Sequence, residues 1–467
     1  MQIKLQIIIS DNNKSIKKDV ICIERENLSV ETLGLTLNES KLLTSNVQKI
    51  MTEYQVLCAL PSQRKCPCCG KMRSINGYNV LTYRTLFGKL HLRSPRLHEC
   101  GCDSKAGTFS PLAKILNERT SPELKYLQSK WASLMTLGTT EKLLEEVFPI
   151  QTHTSSILYN THQVATRLEK ELSDERYMFI DGCPYEWAKL PIPEPALTVG
   201  IDGGYVHGRE GENRKAGWFE VIVGKSMQEE KPSKRFGFVV DYDEKPKRRL
   251  YEVLKSQGLQ MNQAITFLSD GGDTVRNLQL YLSPTAEHIL DWFHITMRIT
   301  VMQQMAKGVV IEKDDHLDLN KELDSVKWYL WHGNTFKALR NIDSLIFDLD
   351  SRFYDTKDSK GKKLLQTLEE FETYIQNNKN CIPNYGDRYR HNETISTAFV
   401  ESTVNEVITK RMVKKQQMRW TKKGAHLLLQ VRIQALNREL KNCFYKWYPN
   451  MIKEETSYAN DSAQAAA

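Results

Sequence analysis

The stretch that most constrains this chain runs from Ala196 to His294, where apolar runs bounded by glycine and proline alternate in fixed order with segments of helical period. ALTVGIDGGYVHG, GWFEVIVGKSM and KRFGFVVDY read as consecutive strands, because β-branched and aromatic residues recur at every second position or without a break. YMFIDG, just before them, reads the same way. KPKRRLYEVLKSQGL then reads as a helix, AITFLSDGG as the fourth strand of the set, DTVRNLQLYL as a second helix and EHILDWFH as the fifth strand. Three strands joined by tight turns make a meander, whereas strands reached through helices run parallel to a neighbour. A mixed sheet flanked by helices follows.

That order is the one expected of an RNase H-like core, in which the first and fourth strands are neighbours. Asp202 lies within the first strand, in VGIDGGYV, and Asp270 closes AITFLS and opens the turn DGGD, so their carboxylates are expected to face each other. Paired carboxylates suit divalent metal: phosphodiester chemistry can be driven by two ions about 3.5 to 4 Å apart. Magnesium takes only one or two carboxylates per ion, so three acidic side chains suffice for a pair of Mg²⁺ or Mn²⁺ ions. The third is expected on a later helix. Glu401 in TAFVESTVNEVITKRM fits, beside a buried stripe of Phe399, Val400, Val404 and Val407. Glu393 and Glu406 compete with it, although helix capping accounts for the first and a solvated face for the second. Asp273, three residues after Asp270, reads as a helix N-cap. Asp291 and His294 in LDWFH form a secondary pair at the end of the fifth strand, able to orient or protonate DNA oxygens or to serve as a hydrogen-bonded structural histidine.

At 467 residues the chain exceeds one ordinary core, and the changes of period divide it. Residues 1–60 form an N-terminal α/β segment without a motif, and 61–115 a small β module carrying cysteines. Residues 116–176 read as three helices resembling a helix-turn-helix, with an all-α bundle as the alternative. Residues 177–294 hold the first part of the catalytic core, 295–391 an α-helical insertion, 392–450 the second part of the core and 451–467 a tail. The fold class is thus multidomain α/β. No apolar run is long enough to cross a bilayer and the N-terminus lacks the pattern of a signal peptide, so a cytoplasmic, nucleoid-associated protein is expected.

Cys66, Cys69, Cys100 and Cys102 resemble the two knuckles of a zinc ribbon, a structural site closed by four thiolates. Cys68 and His98 are alternative ligands. A second dense feature is KRMVKKQQMRWTKKGAHLLLQVR, where Lys410, Arg411, Lys414, Lys415, Arg419, Lys422, Lys423 and Arg432 occur without an acidic residue. Such a run on a helix suits a phosphate track, with Trp420 either stacking on a base or packing inward.

DGGYVHG, WFEVIVGKS, YDEKPKRRLYEVLKSQG, MNQAITFLSDGGDTVRNLQLYL, LDWFH and MRWTKKGAHLLL resemble an insertion-sequence DDE transposase of the ISKra type over most of residues 195–435, and RTLFGKLHLRSPR with its flanking cysteines resembles the zinc-bearing N-terminal part. The resemblance implies a prokaryotic mobile-element enzyme with Asp202, Asp270 and Glu401 as its triad, acting on terminal inverted repeats and target DNA; Asp291 and His294 match an Asp-x-x-His motif of related groups. A homodimer or higher oligomer is expected, because two DNA ends must be held. Two other readings stay open: a zinc-ribbon and helix-turn-helix regulator without activity, and an RNase H-like nuclease that cuts but does not join.

Overall fold

The computed structural model describes residues 1–11, 14–102, 107–175, 178, 180, 182–193, 196–209, 217–283, 285–309, 318–353, 358–413 and 419–452. It comprises two compact units, Met1–Arg167 with Arg438–Ala467, and Leu168–Asn437.

In the first unit, β1 (Gln2–Asp11) and β2 (Lys14–Glu24) pair as an antiparallel hairpin. Helix α1 (Leu37–Gln63) follows and opens with a capping box, in which Thr36 Oγ1 accepts from the Glu39 amide and Glu39 accepts from the Thr36 amide. Strands β3 (Ile75–Thr85), β4 (Gly88–His98) and β5 (Thr108–Phe109) make a three-stranded antiparallel sheet. Leucines 81, 90 and 92 point inward from it and meet Leu112 of α2 (Pro111–Ile115). Helices α3 (Pro122–Leu134), α4 (Leu137–Val147) and α5 (Thr154–Glu171) follow closely on one another, the last residues of α5, from Leu168, belonging to the second unit. Ser121 and Thr136 cap the first two, and Ala132, Leu144 and Ile157 join them in one small core.

The second unit, after the short turn α6 (Pro184–Trp187), is built on a mixed sheet of β6 (Leu197–His207), β7 (Trp218–Gln228), β8 (Lys231–Val239), β9 (Ile265–Ser269) and β10 (Glu287–Leu290). Its spatial order is β10-β9-β6-β7-β8. The first three strands are antiparallel neighbours, while β9 lies parallel to β6 and β10 parallel to β9. Helices α7 (Pro246–Ser256) and α8 (Asp273–Leu282) are the crossovers. Leu197, Val199 and Ile201 project from β6 onto Leu250, Leu254, Val275 and Leu278 of these helices. Alternation along a strand sends the even-numbered residues of β6 to the opposite face.

From α9 (Trp292–Ala306) the chain is helical through α10 (Leu319–Trp331), α11 (Thr335–Phe353), α12 (Ser359–Asn378) and α13 (Tyr385–Arg390), whose apolar stripes share a core with Leu268, Ile289 and Leu290 at the sheet edge. It then returns to the even face of β6 as α14 (Ala398–Val404), which runs into a wider π-helical segment, Asn405–Val413. Helix α15 (Lys422–Leu436) completes that face, with Leu428, Leu429 and Ile433 against Val221, Val223 and Val239. Helix α16 (Leu440–Trp447) belongs to the first unit, where Phe444 meets Tyr126 of α3 edge-on at 5.4 Å.

Three expectations need correction. The run EHILDWFH is not all strand: β10 stops at Leu290, because Asp291 accepts from the Phe293 amide and starts α9, so His294 stands on a helix. Asp273 is the first residue of α8 rather than its N-cap, which is Gly272. The basic segment is not one helix: Lys410 and Arg411 lie in the π-helical segment, Trp420 bridges to Gly208, and Lys422 opens α15, which Thr421 caps anew. The expected strand YMFIDG falls mostly outside the described residues, as do Lys414 and Lys415.

Candidate active site

Register assembles the acidic cluster. Leu197 pairs with Ile265 and Gly200 with Leu268, and carrying the same offset two residues further sets Asp202 beside Asp270. Ser269 pairs with Leu290, so the next step sets Asp291 beside Asp270; the Asp291 amide donates to Ser269 O at 2.9 Å. Asp202 on β6 thus lies level with Asp270 and Asp291, which stand just past the ends of β9 and β10, although among the described residues their oxygens do not converge as closely as the sulfurs of Cys66, Cys69, Cys100 and Cys102.

Their surroundings differ. Burial pushes the Asp202 carboxyl above its ordinary range; the Gly203 amide, 2.8 Å away, and the charge of His294 oppose that rise, while Asp270 and Asp291 add to it. Asp270 accepts from the Gly272 amide at 3.0 Å, which shapes the turn into α8. Asp291 is fully buried and saturated with donors: the amides of Phe293 and Thr397 at 2.9 and 3.0 Å, the Thr397 hydroxyl, and His294 Nδ1 at 2.7 Å. Burial would raise its carboxyl, but His294 and Thr397 outweigh it and hold the group ionised. The bond to Asp291 in turn raises His294, against burial, and the charges of Asp202 and Asp270 reinforce it. His294 is therefore a cation-prone imidazole among three carboxylates, its ring orientation fixed through Nδ1.

Glu401 is exposed in the first turn of α14. That helix lies hard against β6: a Cβ built on Gly200 would stand 2.2 Å from Val400 Cγ2 and 2.6 Å from Phe399 Cζ, and one on Gly204 would stand 3.0 Å from Ile408 Cδ1. Gly200, Asp202 and Gly204 share one face by alternation, so α14 packs on the face that carries Asp202, while among the described residues Glu401 does not join Asp202 and Asp270 in a close ligand group. The two competing glutamates are already engaged, Glu393 with Arg388 at 2.7 Å and Glu406 with Arg235 at 2.9 Å.

Sequence reasoning missed several neighbours. Glu220 on β7 is raised by burial and then by the charges of Asp270 and Asp241. Thr397 doubly binds Asp291, and Tyr374 of α12, with Arg298 4.2 Å over its ring, is raised by burial and by Asp270 and Asp291. Glu220 and Thr397 lie inside the stretches WFEVIVGKS and TAFVESTVNEVITKRM but have no spacing that singles them out, and Tyr374 comes from a helix far along the chain from Asp270.

The basic segment is divided by the fold. Arg411 is buried with its guanidinium 5.3 Å from the Trp420 ring centroid, and Trp420, also buried, donates to Met412 O at 3.3 Å. Arg432 is buried and donates to Val407 O at 2.8 Å. These three side chains are core, because the apolar residues between them pack on β6 and β7, and they form no surface track. Lys422 pairs with Asp241 at 2.9 Å, while Lys410, Arg419 and Lys423 are exposed.

In the first unit, the Sγ atoms of Cys66, Cys69, Cys100 and Cys102 all lie within 4.8 Å of one another, with Cys69 to Cys100 at 3.3 Å and Cys100 to Cys102 at 3.8 Å. Tetrahedral Zn–S bonds of about 2.3 Å imply S···S separations of about 3.8 Å, so these thiols can hold a metal ion. Cys68 and His98 are not in the group. A second convergence of ligand atoms, Glu169, Asp243 and His426, is of another kind. Arg249 sits within it, donating twice to Glu169 at 3.0 Å and to Asp243 at 2.8 and 3.0 Å. A fixed guanidinium already neutralises the place a cation would take.

No protein-family model matches the chain, and no curated protein matches it. Among solved structures it is similar to the Drosophila P element transposase strand transfer complex, with a TM-score of 0.31 and 10% identity over 68% of this chain and 93% of that one. A likeness at this level assigns neither fold nor activity.

Proposed function

We propose that this chain is a DDE transposase of the insertion-sequence, ISKra type, cleaving and joining DNA on an RNase H-like sheet, with Asp202, Asp270 and Glu401 as its metal-holding carboxylates. What supports this reading is the placement of Asp202 on β6 with Asp270 and Asp291 just past the ends of β9 and β10, near enough for their charges and that of His294 to act on Asp202. Two Mg²⁺ or Mn²⁺ ions, when bound, would activate the attacking oxygen and stabilise the leaving one. Asp291 holds His294 in one orientation, and His294 holds a proton beside the reacting phosphate. Glu401 is the third ligand because Glu393 and Glu406 are held in ion pairs. Double-stranded DNA, as element ends and target, is the partner; the Cys66, Cys69, Cys100 and Cys102 site takes Zn²⁺, and two chains pair two ends.

The test is cleavage of an end-containing duplex in Mg²⁺. Asp202→Ala and Glu401→Gln should each abolish strand cleavage and leave duplex binding intact; wild-type cleavage in both would overturn the triad. Cleavage products without joined strands would favour the nuclease, and binding without cleavage in the unsubstituted protein the regulator. For the cysteine site, elemental analysis should find one zinc per chain, lost in Cys69→Ser; metal-free wild-type protein would remove zinc from the proposal.

A further inference from the structure

Charge in this chain is concentrated where no acid accompanies it. From Tyr54 to His98 there is no Asp or Glu, and Arg64, Lys65, Lys71, Arg73, Arg84, Lys89, Arg93 and Arg96 give the stretch +8, as much as the net charge of all 467 residues. The other acid-free run, at 410–432, spends Arg411 and Arg432 in the core and Lys422 on Asp241. The first run spends little. Its centre is the β3–β4 ribbon, whose inner face carries Leu81, Leu90, Leu92 and Leu97 and whose outer face carries Arg84, Lys89, His91 and Arg93, all exposed, with exposed Arg96 beyond them.

Register sharpens the point. Arg84 stands directly opposite Lys89, Thr82 opposite His91 and Val80 opposite Arg93. Like charges directly opposite in a sheet are destabilising, and among the described residues no carboxylate is paired with either Arg84 or Lys89. The ribbon thus keeps a repulsion that folding does not require. Arg93 is splayed over the Tyr78 ring at 4.1 Å, which stiffens the cation row at its other end. Where the ribbon turns, Arg84 and Lys89 border a cavity of about 190 Å³ that is also lined by Gln151, His153 and Ser156 at the start of α5. Helix starts favour anions, so cations and helix end act in the same sense there.

We propose that the outer face of the β3–β4 ribbon is a binding surface for double-stranded DNA, with Arg84, Lys89 and Arg93 on backbone phosphates and one phosphate seated at the cavity by α5. The shape favours DNA over RNA: the major groove of B-form DNA admits a two-stranded antiparallel ribbon, whereas the deep, narrow major groove of A-form RNA does not. The choice of DNA agrees with the function proposed above, but the site needs no catalysis and is measured apart from it.

The experiment is the salt dependence of binding of the full chain to a short fluorescent duplex of arbitrary sequence. Arg84→Gln, Lys89→Gln and Arg93→Gln combined should weaken binding at least about tenfold and make the plot of log K against log salt shallower by roughly 0.9 for each phosphate no longer neutralised. Lys362→Gln with Lys363→Gln, exposed on α12, is the control and should change neither. Arg84→Gln alone should leave the thermal midpoint unchanged or higher, since it relieves repulsion, so weaker binding cannot be attributed to unfolding. An unchanged salt slope in the triple variant, an equal loss in the control, or tighter binding to an RNA duplex would each overturn the proposal. Loss of binding alongside full cleavage by Asp202→Ala would refute the catalytic reading and leave this one standing.

Discussion

Gly200→Ala is expected to lower the thermal midpoint of this protein by several degrees, and Gly200→Val to do more. No side chain fits there. A Cβ at Gly200 would stand 2.2 Å from Val400 Cγ2 and 2.6 Å from Phe399 Cζ, so α14 must lift from β6 by more than an ordinary side-chain adjustment. Overpacking of this kind costs typically about 1 to 3 kcal/mol, or about 2 to 4 °C per kcal/mol in a unit of this size. The neighbouring position gives the internal comparison: Gly204→Ala meets Ile408 Cδ1 at 3.0 Å and Val404 Cγ1 at 3.2 Å, side-chain ends that can rotate, so its effect should be smaller. Gly138→Ala in α4, with nothing within 4 Å, should be neutral or stabilising by up to about 1 kcal/mol. Thermal unfolding of the three variants orders them. If Gly200→Ala melts with the wild type, α14 is not seated on β6 as described. Because α14 also carries Glu401, the cleavage assay should lose more activity in Gly200→Ala than its stability explains.

The seating of α14 on β6 was not legible in the sequence, although its parts were. VGIDGGYV reads as a strand with glycines, but only the returning helix explains why Gly200 must lack a side chain. Strand order, with β9 beside β6, was legible, because apolar runs, turns and helical crossovers leave few ways to assemble such a sheet. The boundary inside EHILDWFH was not: an unbroken apolar run fits strand and helix alike, and Asp291 acts as a cap only because Phe293 and Thr397 present their amides to it. The basic run misled for a similar reason. Charge count does not say which way a side chain points, and the π-helical turns from Asn405 to Val413 shift the helical period, so that the adjacent Arg411 and Met412 are both buried. The ribbon cations of β3 and β4 lay in plain view, yet their opposition is a matter of register that sequence spacing alone does not give.

The second large effect is expected at Arg249. Arg249 is 7% exposed, and from its place on α7 its guanidinium donates to Glu169 near the end of α5, to Asp243 in the turn after β8, and to Gln430 of α15 at 2.8 Å. Arg249→Met keeps most of the volume but leaves Asp243 without its counter-charge and Glu169 with only His426 beside it, and breaking a buried pair in this way costs about 3 to 5 kcal/mol. Glu169→Gln added to that variant should restore part of the loss, since the two residues are one network and their effects are not additive. Acid gives an independent check of sign. Burial alone would raise the Glu169 carboxyl, but His426 and Arg249 pull it down to about 2 from 4.5. Its contribution, on the order of 3 kcal/mol, is present above the unfolded value and is lost as pH falls from about 5 toward 2. In Arg249→Met the part of the depression owed to Arg249 is gone while His426 stays beside Glu169, so the gap in thermal midpoint between wild type and variant should be widest near neutral pH and should narrow through that acid window. A gap that stays constant with pH would mean that Arg249 stabilises the unit by packing rather than by charge.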